Sequence, residues 1–227
     1  MDQTPRVSER HFRFMGLDLV LAGKVLVPRA ETELLARRAV ALLASVREKE
    51  PIAIDMCCGS GNLACAIAEG VPSAHVLAAD LTDDAVRTAK INVARLGLSG
   101  RVVVRQGDLF SALAGDHVEG RAAIIVCNPP YISTARLDGD SAHLLEMEPR
   151  EAFDGGTYGI SIQQRLVREA PAFLRPGGHL LFEFGAGQER QAAALLTRVG
   201  VYDVLDFVRD EEGRPRVAAA RLKETAP

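Results

Sequence analysis

The sequence predicts an α/β fold built on a mainly parallel sheet. From Pro51 onward, short apolar runs rich in branched residues alternate with longer segments of helical periodicity, which is typical of parallel strands connected by helices. Near the C-terminus, two apolar runs are separated by residues 209–215 alone, and a connection this short favours antiparallel neighbours, since a parallel crossover needs about a dozen residues or more. We therefore expect a parallel sheet that ends in an antiparallel hairpin.

The individual elements follow from periodicity and from capping residues. Leu35, Ala39, Leu42 and Val46 recur at helical spacing before the sheet, and a Thr82 or Asp83 N-cap and the Pro176-Gly-Gly turn mark other helix ends. Strands are expected over residues 52–56, 75–80, 102–105, 122–127, 179–184, 202–208 and 216–221, and helices over 31–48, 61–70, 82–96 (with Gly97 as C-cap), 161–174 and 188–199. Residues 11–28 are expected to be extended or to form a hairpin.

Length and composition favour one main domain. The 227 residues are 48% hydrophobic and 25% charged, close to the average of soluble globular proteins. We expect a lead-in segment or hairpin over residues 1–30 and the main domain over residues 31–227. Residues 1–10 lack the apolar core of a signal peptide, and no apolar run is long enough to span a membrane. These observations predict a cytoplasmic protein that does not contact membranes.

Charge and cysteine content exclude two classes of site. The 27 basic and 30 acidic residues give a net charge of −3, which argues against a surface that neutralises many phosphates of a nucleic acid. The cysteines at positions 57, 58, 65 and 127 lack the paired spacing of a structural zinc site. We expect reduced thiols and no bound metal.

A glycine turn follows the first strand of the predicted sheet, in the segment Asp55-Met-Cys-Cys-Gly59-Ser-Gly61-Asn-Leu-Ala64. Glycines there let the backbone turn tightly and approach a ligand. Asp80 ends the second strand, where a carboxylate can accept hydrogen bonds from both ribose hydroxyls. Asp108, after the third strand, either accepts from an adenine amino group or caps a turn. Together these residues predict an adenosine pocket at the carboxyl ends of the strands.

The same spacing also fits the fingerprint of dinucleotide-binding sites, so NAD is an alternative ligand. Asp55 favours S-adenosylmethionine, because a carboxylate beside the glycines attracts the cofactor's ammonium group but repels a pyrophosphate. The predicted cofactor contacts are Asp55, Met56, Cys57, Gly59, Gly61, Asn62, Asp80, Leu81, Asp108, Leu109 and Asn128.

The segment Asn128-Pro129-Pro130-Tyr131 follows the fourth strand and is the most specific motif in the chain. The prolines fix the backbone, so the Asn128 side-chain oxygen and the Pro129 carbonyl form a rigid pair of hydrogen-bond acceptors for one planar NH2 group. The Tyr131 ring is expected to pack against the face of that group. Two acceptors raise the electron density on an amide or amine nitrogen and so favour its attack on a sulfonium methyl group. Asn128, Pro129 and Tyr131 are therefore the predicted catalytic residues.

These motifs together resemble the class I S-adenosylmethionine-dependent methyltransferases, and more closely the HemK-like branch, the release factor glutamine N5-methyltransferases. The matching segments include Leu26-Val-Pro-Arg-Ala-Glu-Thr-Glu33, Ala89-Lys-Ile-Asn-Val-Ala-Arg-Leu-Gly-Leu98, Gly107-Asp-Leu-Phe110, Glu148-Pro-Arg-Glu-Ala-Phe-Asp-Gly-Gly156 and Glu183-Phe-Gly185, besides those above. The resemblance implies a Rossmann-like, seven-stranded, mostly parallel sheet with a C-terminal antiparallel hairpin. It also implies that Asn128 and Pro129 hold the target amide and that Pro28 and Arg29 lie near the substrate entrance, with Pro130 and Tyr131 as further substrate contacts.

Three features depart from the family pattern. About ten residues precede the resemblance, where release-factor enzymes carry a helical substrate-docking domain, which leaves open whether the acceptor is a release factor, another protein or a metabolite. Ala30 replaces a proline in the Pro28-Arg29 segment, and Met-Cys-Cys makes the glycine loop bulkier than usual.

The leading hypothesis is an S-adenosylmethionine-dependent N-methyltransferase that acts on a planar nitrogen, in a protein glutamine or in a small metabolite. An adenine N6-methyltransferase acting on nucleic acid is a second hypothesis, since the same motif can grip the exocyclic amine of a flipped base. Transfer of another group from the cofactor, a non-catalytic subunit that depends on a partner, and an NAD-dependent oxidoreductase are further alternatives. The sequence does not specify the oligomeric state.

Overall fold

The computed structural model describes residues 10–146 and 148–224, so the beginning of the predicted lead-in and the last three residues of the predicted main domain lie outside the described residues. The strands are β1 (Arg10–Phe14), β2 (Leu17–Leu21), β3 (Ile52–Met56), β4 (His75–Asp80), β5 (Val102–Gln106), β6 (Ala122–Cys127), β7 (Leu174–Glu183), β8 (Tyr202–Arg209) and β9 (Pro215–Leu222). The α-helices are α1 (Thr32–Ala44), α2 (Asn62–Gly70), α3 (Asp83–Arg95), α4 (Thr134–Asp138), α5 (Ser161–Glu169) and α6 (Glu189–Val199). Within the described ranges, no helix has the length and apolar character needed to cross a membrane.

Seven strands form one sheet in the order β5-β4-β3-β6-β7-β9-β8. Strands β3 to β7 pair in parallel, and β9 pairs antiparallel with both β7 and β8. The fold prediction is confirmed, including the C-terminal antiparallel hairpin. The chain order reverses direction between β3 and β6, and in open parallel sheets this switch point is where a ligand-binding crevice forms.

Helices cover both faces of the sheet, which is why its central strands are apolar throughout. Along β6, Ile124 and Val126 pack into the core formed with α1, α2 and α3. Ile125 and Cys127 face the opposite side and pack with α5 and α6. The period-2 alternation of a strand therefore divides the core into two layers.

Three element boundaries differ from the predictions by four residues or more. Helix α1 ends at Ala44, four residues before the predicted end at residue 48. Strand β7 begins at Leu174, five residues earlier than expected, and contains the Pro176-Gly-Gly segment that was expected to end the preceding helix. Helix α5 stops at Glu169 and continues as a short 3-10 turn through Pro171, because proline lacks the N–H that an α-helix requires. The capping predictions for the helix after β4 are confirmed, since the Thr82 side chain accepts from Ala85 N and Gly97 has a φ of 70°.

An antiparallel hairpin, β1-β2, packs on the α3 side of the sheet. Asn92 of α3 is fully buried and joins this hairpin to the glycine loop. Its Oδ1 accepts from Val20 N at 2.8 Å, and its Nδ2 donates to the carbonyl oxygens of Val20 and Ser60, both at 2.9 Å. One side chain therefore satisfies buried polar groups of two segments that are distant from it in sequence.

Candidate active site

The glycine loop lies at the carboxyl end of β3 and leads into α2. Gly61 adopts a φ of 77°, and a Cβ there would lie 3.1 Å from the Ala89 Cβ, so both the left-handed backbone and the close approach of α3 require glycine. Asp80 Oδ2 accepts from Gly59 N at 2.9 Å, and Asp80 Oδ1 accepts from Thr82 N at 3.1 Å. The Asp80 carboxylate thus holds the loop in place while its remaining lone pairs face the crevice.

Asp55 lies beneath this loop and is fully buried. Its Oδ2 accepts from Ala64 N at 2.9 Å, whereas its Oδ1 has no hydrogen-bonding partner among the described residues. Burial raises the pKa of this carboxyl to about 8, opposed by the hydrogen bond from Ala64 N and increased further by the negative charge of Asp80. A buried acceptor without a partner is costly, so a cationic ligand group at this point would be strongly stabilised.

A cleft of about 770 Å³ opens above the loop at the switch point of the sheet. The predicted cofactor residues that line it are Cys57, Gly59, Asp80, Leu81, Asp108, Leu109 and Asn128, together with Pro130, which was predicted to contact the acceptor. Four other predicted cofactor residues do not border the cleft: Asp55, Met56, Gly61 and Asn62. The Met56 side chain is wholly buried in the core layer next to α5, and a contact of Met56 with the cofactor stays a prediction.

Asp108 borders the cleft, but its carboxylate already has a partner. Arg165 Nη1 lies 2.9 and 3.0 Å from the two carboxylate oxygens. The Asp108 side chain does not cap the turn that follows, where Ser111 instead donates to the Asp108 backbone oxygen. A contact with an adenine amino group therefore stays a prediction, and it would use lone pairs that Arg165 leaves free.

A second cavity of about 300 Å³ adjoins the cleft. Its lining includes four residues predicted to contact the acceptor, which are Arg29, Asn128, Pro129 and Tyr131. Asn128 borders both the cleft and the second cavity, as do Leu26 and Ala152. Pro28 is half-buried and borders neither cavity.

Arg29 is not a solvated surface charge. Its Nη2 lies 2.7 Å from Oε2 of Glu148, which is buried, and Oε1 of the same carboxylate accepts from Val27 N at 2.7 Å. Glu148 therefore clamps the segment that precedes α1 to the segment between α4 and α5, at the rim of the second cavity. Sequence reasoning included Glu148 in a matching motif but assigned it no role.

Two side-chain hydrogen bonds anchor the Asn128-Pro-Pro-Tyr131 segment. Asn128 Nδ2 donates to Thr32 Oγ1 at 3.2 Å, and Tyr131 Oη donates to Glu183 Oε1 at 3.3 Å. Among the residues that the structure describes, none donates to the carbonyl oxygen of Pro129. The two acceptors that the sequence predicts are therefore both available to a ligand in the second cavity.

Comparison with known proteins identifies the family. Residues 36–156 match the model of the methyltransferase small domain family. A release factor glutamine methyltransferase of Geobacter sulfurreducens is 37% identical over 92% of this chain and 70% of its own length. The chain belongs to the release factor glutamine methyltransferase family. A second such methyltransferase, from Moorella thermoacetica, is 37% identical over 94% of this chain and 73% of its own length. The solved release-factor-specific protein-(glutamine-N5) methyltransferase of Alicyclobacillus acidocaldarius shares the fold, with a TM-score of 0.52 and 24% identity over 87% of this chain and 94% of its own.

The methyltransferase uses S-adenosylmethionine, as predicted. Its residues fit this cofactor on three counts. The unpartnered Asp55 Oδ1 suits an ammonium group, the Asp80 carboxylate suits a ribose diol, and the exposed Leu81 side chain offers an apolar surface to an adenine ring.

Several lining residues were missed by sequence reasoning. Lys24 and Val25 enter the cleft from the segment after β2, and Pro149, Glu151 and Ile162 enter it from the segments before and within α5. They come from chain segments far from the glycine loop, and no spacing rule connects them to it. The matching motif segments contain Leu26 and Pro149, and they were the only indication in the sequence that these regions could border the cleft.

The raised pKa of Asp55 predicts a pH-dependent stability of the cofactor-free methyltransferase. The pKa of this carboxyl is about 8 in the folded chain and 3.8 in the unfolded chain. At a pH between these two values, Asp55 therefore keeps its proton in the folded chain and loses it in the unfolded chain. The contribution of the protonated Asp55 to the free energy of unfolding is fully present below pH 3.8 and is lost as the pH rises through the folded pKa. We expect Asp55→Asn, which cannot ionise, to have a higher Tm than the wild type at about pH 8.5 and little advantage at about pH 5. An equal Tm difference at both pH values in thermal denaturation would contradict this explanation.

Proposed function

We propose that this methyltransferase transfers a methyl group to the side-chain amide nitrogen of a glutamine in a protein substrate. One observation carries the proposal: Asn128 stands in the wall between the cofactor cleft and the second cavity, where it can touch an acceptor on one side while the methyl donor lies on the other. Relatives that are 37% identical are named for glutamine methylation of release factors, which supports a glutamine as the acceptor.

The chemistry has to overcome the weak nucleophilicity of an amide nitrogen. Its lone pair is delocalised into the carbonyl group, so the nitrogen is a poor nucleophile. When bound, S-adenosylmethionine supplies a methyl group on a positively charged sulfur. Asn128 Oδ1 and the Pro129 carbonyl oxygen accept the two N–H hydrogens of the acceptor, which raises the electron density on its nitrogen and stabilises the cation that forms there. Methyl transfer to the nitrogen would release S-adenosylhomocysteine, which keeps the electron pair of the carbon–sulfur bond, and one N–H proton of the methylated amide would pass to water.

Geometry supplies the other part of the catalysis. The two prolines fix the backbone of the acceptor pair, and the hydrogen bond from Tyr131 Oη to Glu183 holds the Tyr131 ring at the wall of the second cavity. An acceptor nitrogen that these residues hold beside the cleft would avoid much of the entropic cost of a two-molecule reaction. The reaction requires no strong base, since the proton leaves the nitrogen after the nitrogen–carbon bond has formed.

The test is a methylation assay with the full chain and S-adenosylmethionine labelled on its methyl group. We expect the label to enter a release factor protein, and mass spectrometry of its fragments to place one added methyl group on a glutamine. The parallel arms are an extract of small molecules and a set of DNA and RNA oligonucleotides. Label found only in the small molecules or only in the oligonucleotides would show that the acceptor is a metabolite or a base and not a protein. Asn128→Ala should remove the label in every arm.

A further inference from the structure

We propose that Gln188 is a positioning residue that fixes the Tyr131 ring in the wall of the second cavity. The inference rests on the proposed function, because that function makes the ring a contact of the acceptor amide. Gln188 itself borders neither cavity, so it acts on the reaction through Tyr131.

Gln188 lies directly before α6, in the turn that follows β7. A polar side chain at the start of a helix often accepts from the first backbone N–H groups of that helix, which have no partner within it. The Gln188 side chain makes no such bond, and its carboxamide reaches across to the segment that follows β6. The role of this side chain therefore lies outside its own helix.

The carboxamide of Gln188 joins three segments of the chain. Its Nε2 donates to the carbonyl oxygen of Tyr131 at 2.9 Å and to that of Gly159 at 3.3 Å. Its Oε1 accepts from Gly185 N at 2.8 Å. The reversed carboxamide would place its oxygen against two carbonyl oxygens and its amino group against an N–H group, so the backbone partners allow only one orientation.

Two of these contacts determine where the Tyr131 ring lies. The bond from Nε2 holds the backbone from which the ring extends, and the bond to Oε1 holds Gly185, against which the ring packs. A Cβ at Gly185 would lie only 3.0 Å from Tyr131 Cδ2, so the ring rests directly on the glycine backbone. Because Tyr131 Oη also donates to Glu183 Oε1 at 3.3 Å, the residue is held at its backbone, its ring and its hydroxyl.

The third contact connects the glycine-rich loop of residues 155–159 to the same place. Gly159 has a φ of 69°, and a Cβ there would lie 2.5 Å from the Tyr131 carbonyl oxygen, so this close approach requires glycine. At the other end of the loop, Gly155 N donates to Ile132 O at 2.8 Å, and Ile132 also lines the second cavity. Gln188 therefore holds the loop and the Tyr131 backbone together as one wall.

Two substitutions separate the contacts of the carboxamide. Gln188→Ala removes all three hydrogen bonds, and we expect it to lower kcat/KM for the acceptor about 10-fold, because a displaced ring no longer orients the substrate amide. Gln188→Glu keeps an acceptor for Gly185 N but replaces the donor by a carboxylate oxygen that faces two carbonyl oxygens. It should cause at least the same loss. The Kd for S-adenosylmethionine should not change in either variant.

Tyrosine labelling tests the position of the ring without any acceptor. The chain contains three tyrosines, Tyr131, Tyr158 and Tyr202, so 13C labelling of the tyrosine rings gives three sets of signals in the NMR spectrum. We expect both Gln188 variants to shift the Tyr131 signals. Tyr202 is the internal reference, because it begins β8 at the other end of the sheet. Tyr131 signals that are the same in the wild type and in both variants would overturn the inference.

Kinetics with the acceptor found under the proposed function give the second test. On a Tyr131→Ala background, Gln188→Ala should cause no further loss of kcat/KM, since Gln188 acts through the ring. A further loss of about 10-fold on this background would contradict that role, as would a Gln188→Glu variant with the kcat/KM of the wild type.

The matched control is Arg101→Ala. Arg101 Nη1 donates to Ala68 O at 2.7 Å, so it also joins distant segments through a backbone oxygen, but it precedes β5 and borders neither cavity. This variant should have a lower Tm and an unchanged kcat/KM. An equal loss of kcat/KM in Arg101→Ala and Gln188→Ala would show a general effect of lost stability and refute the positioning role. If the wild type methylates no glutamine, the proposed function fails, and the NMR comparison still decides whether Gln188 fixes the ring.

Discussion

Replacement of Asn128 by alanine should lower kcat about 100- to 1,000-fold, by analogy with the loss of one preorganised hydrogen-bonding group at a developing charge. The reason is the position of this side chain between the two cavities, where it supplies one of the two acceptors for the substrate amide. Single-turnover methylation with saturating cofactor measures the chemical step directly. Cofactor affinity, measured by calorimetric titration, should change much less.

Two results would contradict this role of Asn128. If Asn128→Ala folds but no longer binds S-adenosylmethionine, the residue is mainly a cofactor ligand, as its position in the wall of the cleft also allows. If the wild type and Asn128→Ala show the same negligible turnover on every substrate, the chain is a non-catalytic or partner-dependent subunit. Gln164→Ala is the matched control, because Gln164 carries an exposed amide on α5 and borders neither cavity.

Asp80→Ala should raise the Kd for S-adenosylmethionine about 100-fold or more. The substitution removes the predicted acceptor of the ribose hydroxyls and also the bond that holds Gly59 N in the loop. Hydrogen bonds to a charged group contribute about 1.5–3 kcal/mol each, and about 1.4 kcal/mol corresponds to a tenfold change in affinity. Calorimetric titration of the purified variant measures the effect.

The controls for Asp80 separate charge from shape. Asp80→Asn keeps one acceptor in the same place and should lie between the wild type and Asp80→Ala. Asp116→Ala removes an acid that is paired with Arg105 and borders neither cavity, so it should leave the affinity unchanged. An unchanged Kd in Asp80→Ala would show that the ribose is held elsewhere.

Much of the sheet could be predicted from the sequence because its physical signals are local. Strands β3, β4 and β6 begin and end at the predicted residues, since each is a short apolar run bounded by polar or turn residues. The start of strand β7 was predicted five residues too late, because Pro176-Gly-Gly ends helices in most contexts. Here Ala122 pairs with Leu174 and Ile124 with His179, so the irregular segment is absorbed between two regular parts of the β6-β7 ladder.

Site residues at the ends of strands could be predicted from the sequence. Contacts between residues that are distant in sequence could not. Asp80 ends β4 and Asn128 follows β6, and because both strands neighbour β3, the parallel sheet brings these two residues to the same edge. Glu148 lies 119 residues from Arg29, and Asn128 lies 96 residues from Thr32, so these partners become neighbours only when the chain has folded. Burial, which gives Asp55 and Glu183 their raised pKa values, is likewise a property of the packed structure.

The Asn92 carboxamide gives the N-terminal hairpin a thermodynamic connection to the cofactor. The glycine loop holds this side chain in place through Ser60 O, and displacement of the hairpin leaves the Asn92 Oδ1 and one Nδ2 hydrogen without the partners that Val20 provides. A cofactor that orders the loop therefore also makes displacement of the hairpin more costly. By reciprocity, a protein that binds the ordered hairpin more tightly than the displaced one favours the loaded enzyme over the empty one and strengthens cofactor binding by the same factor.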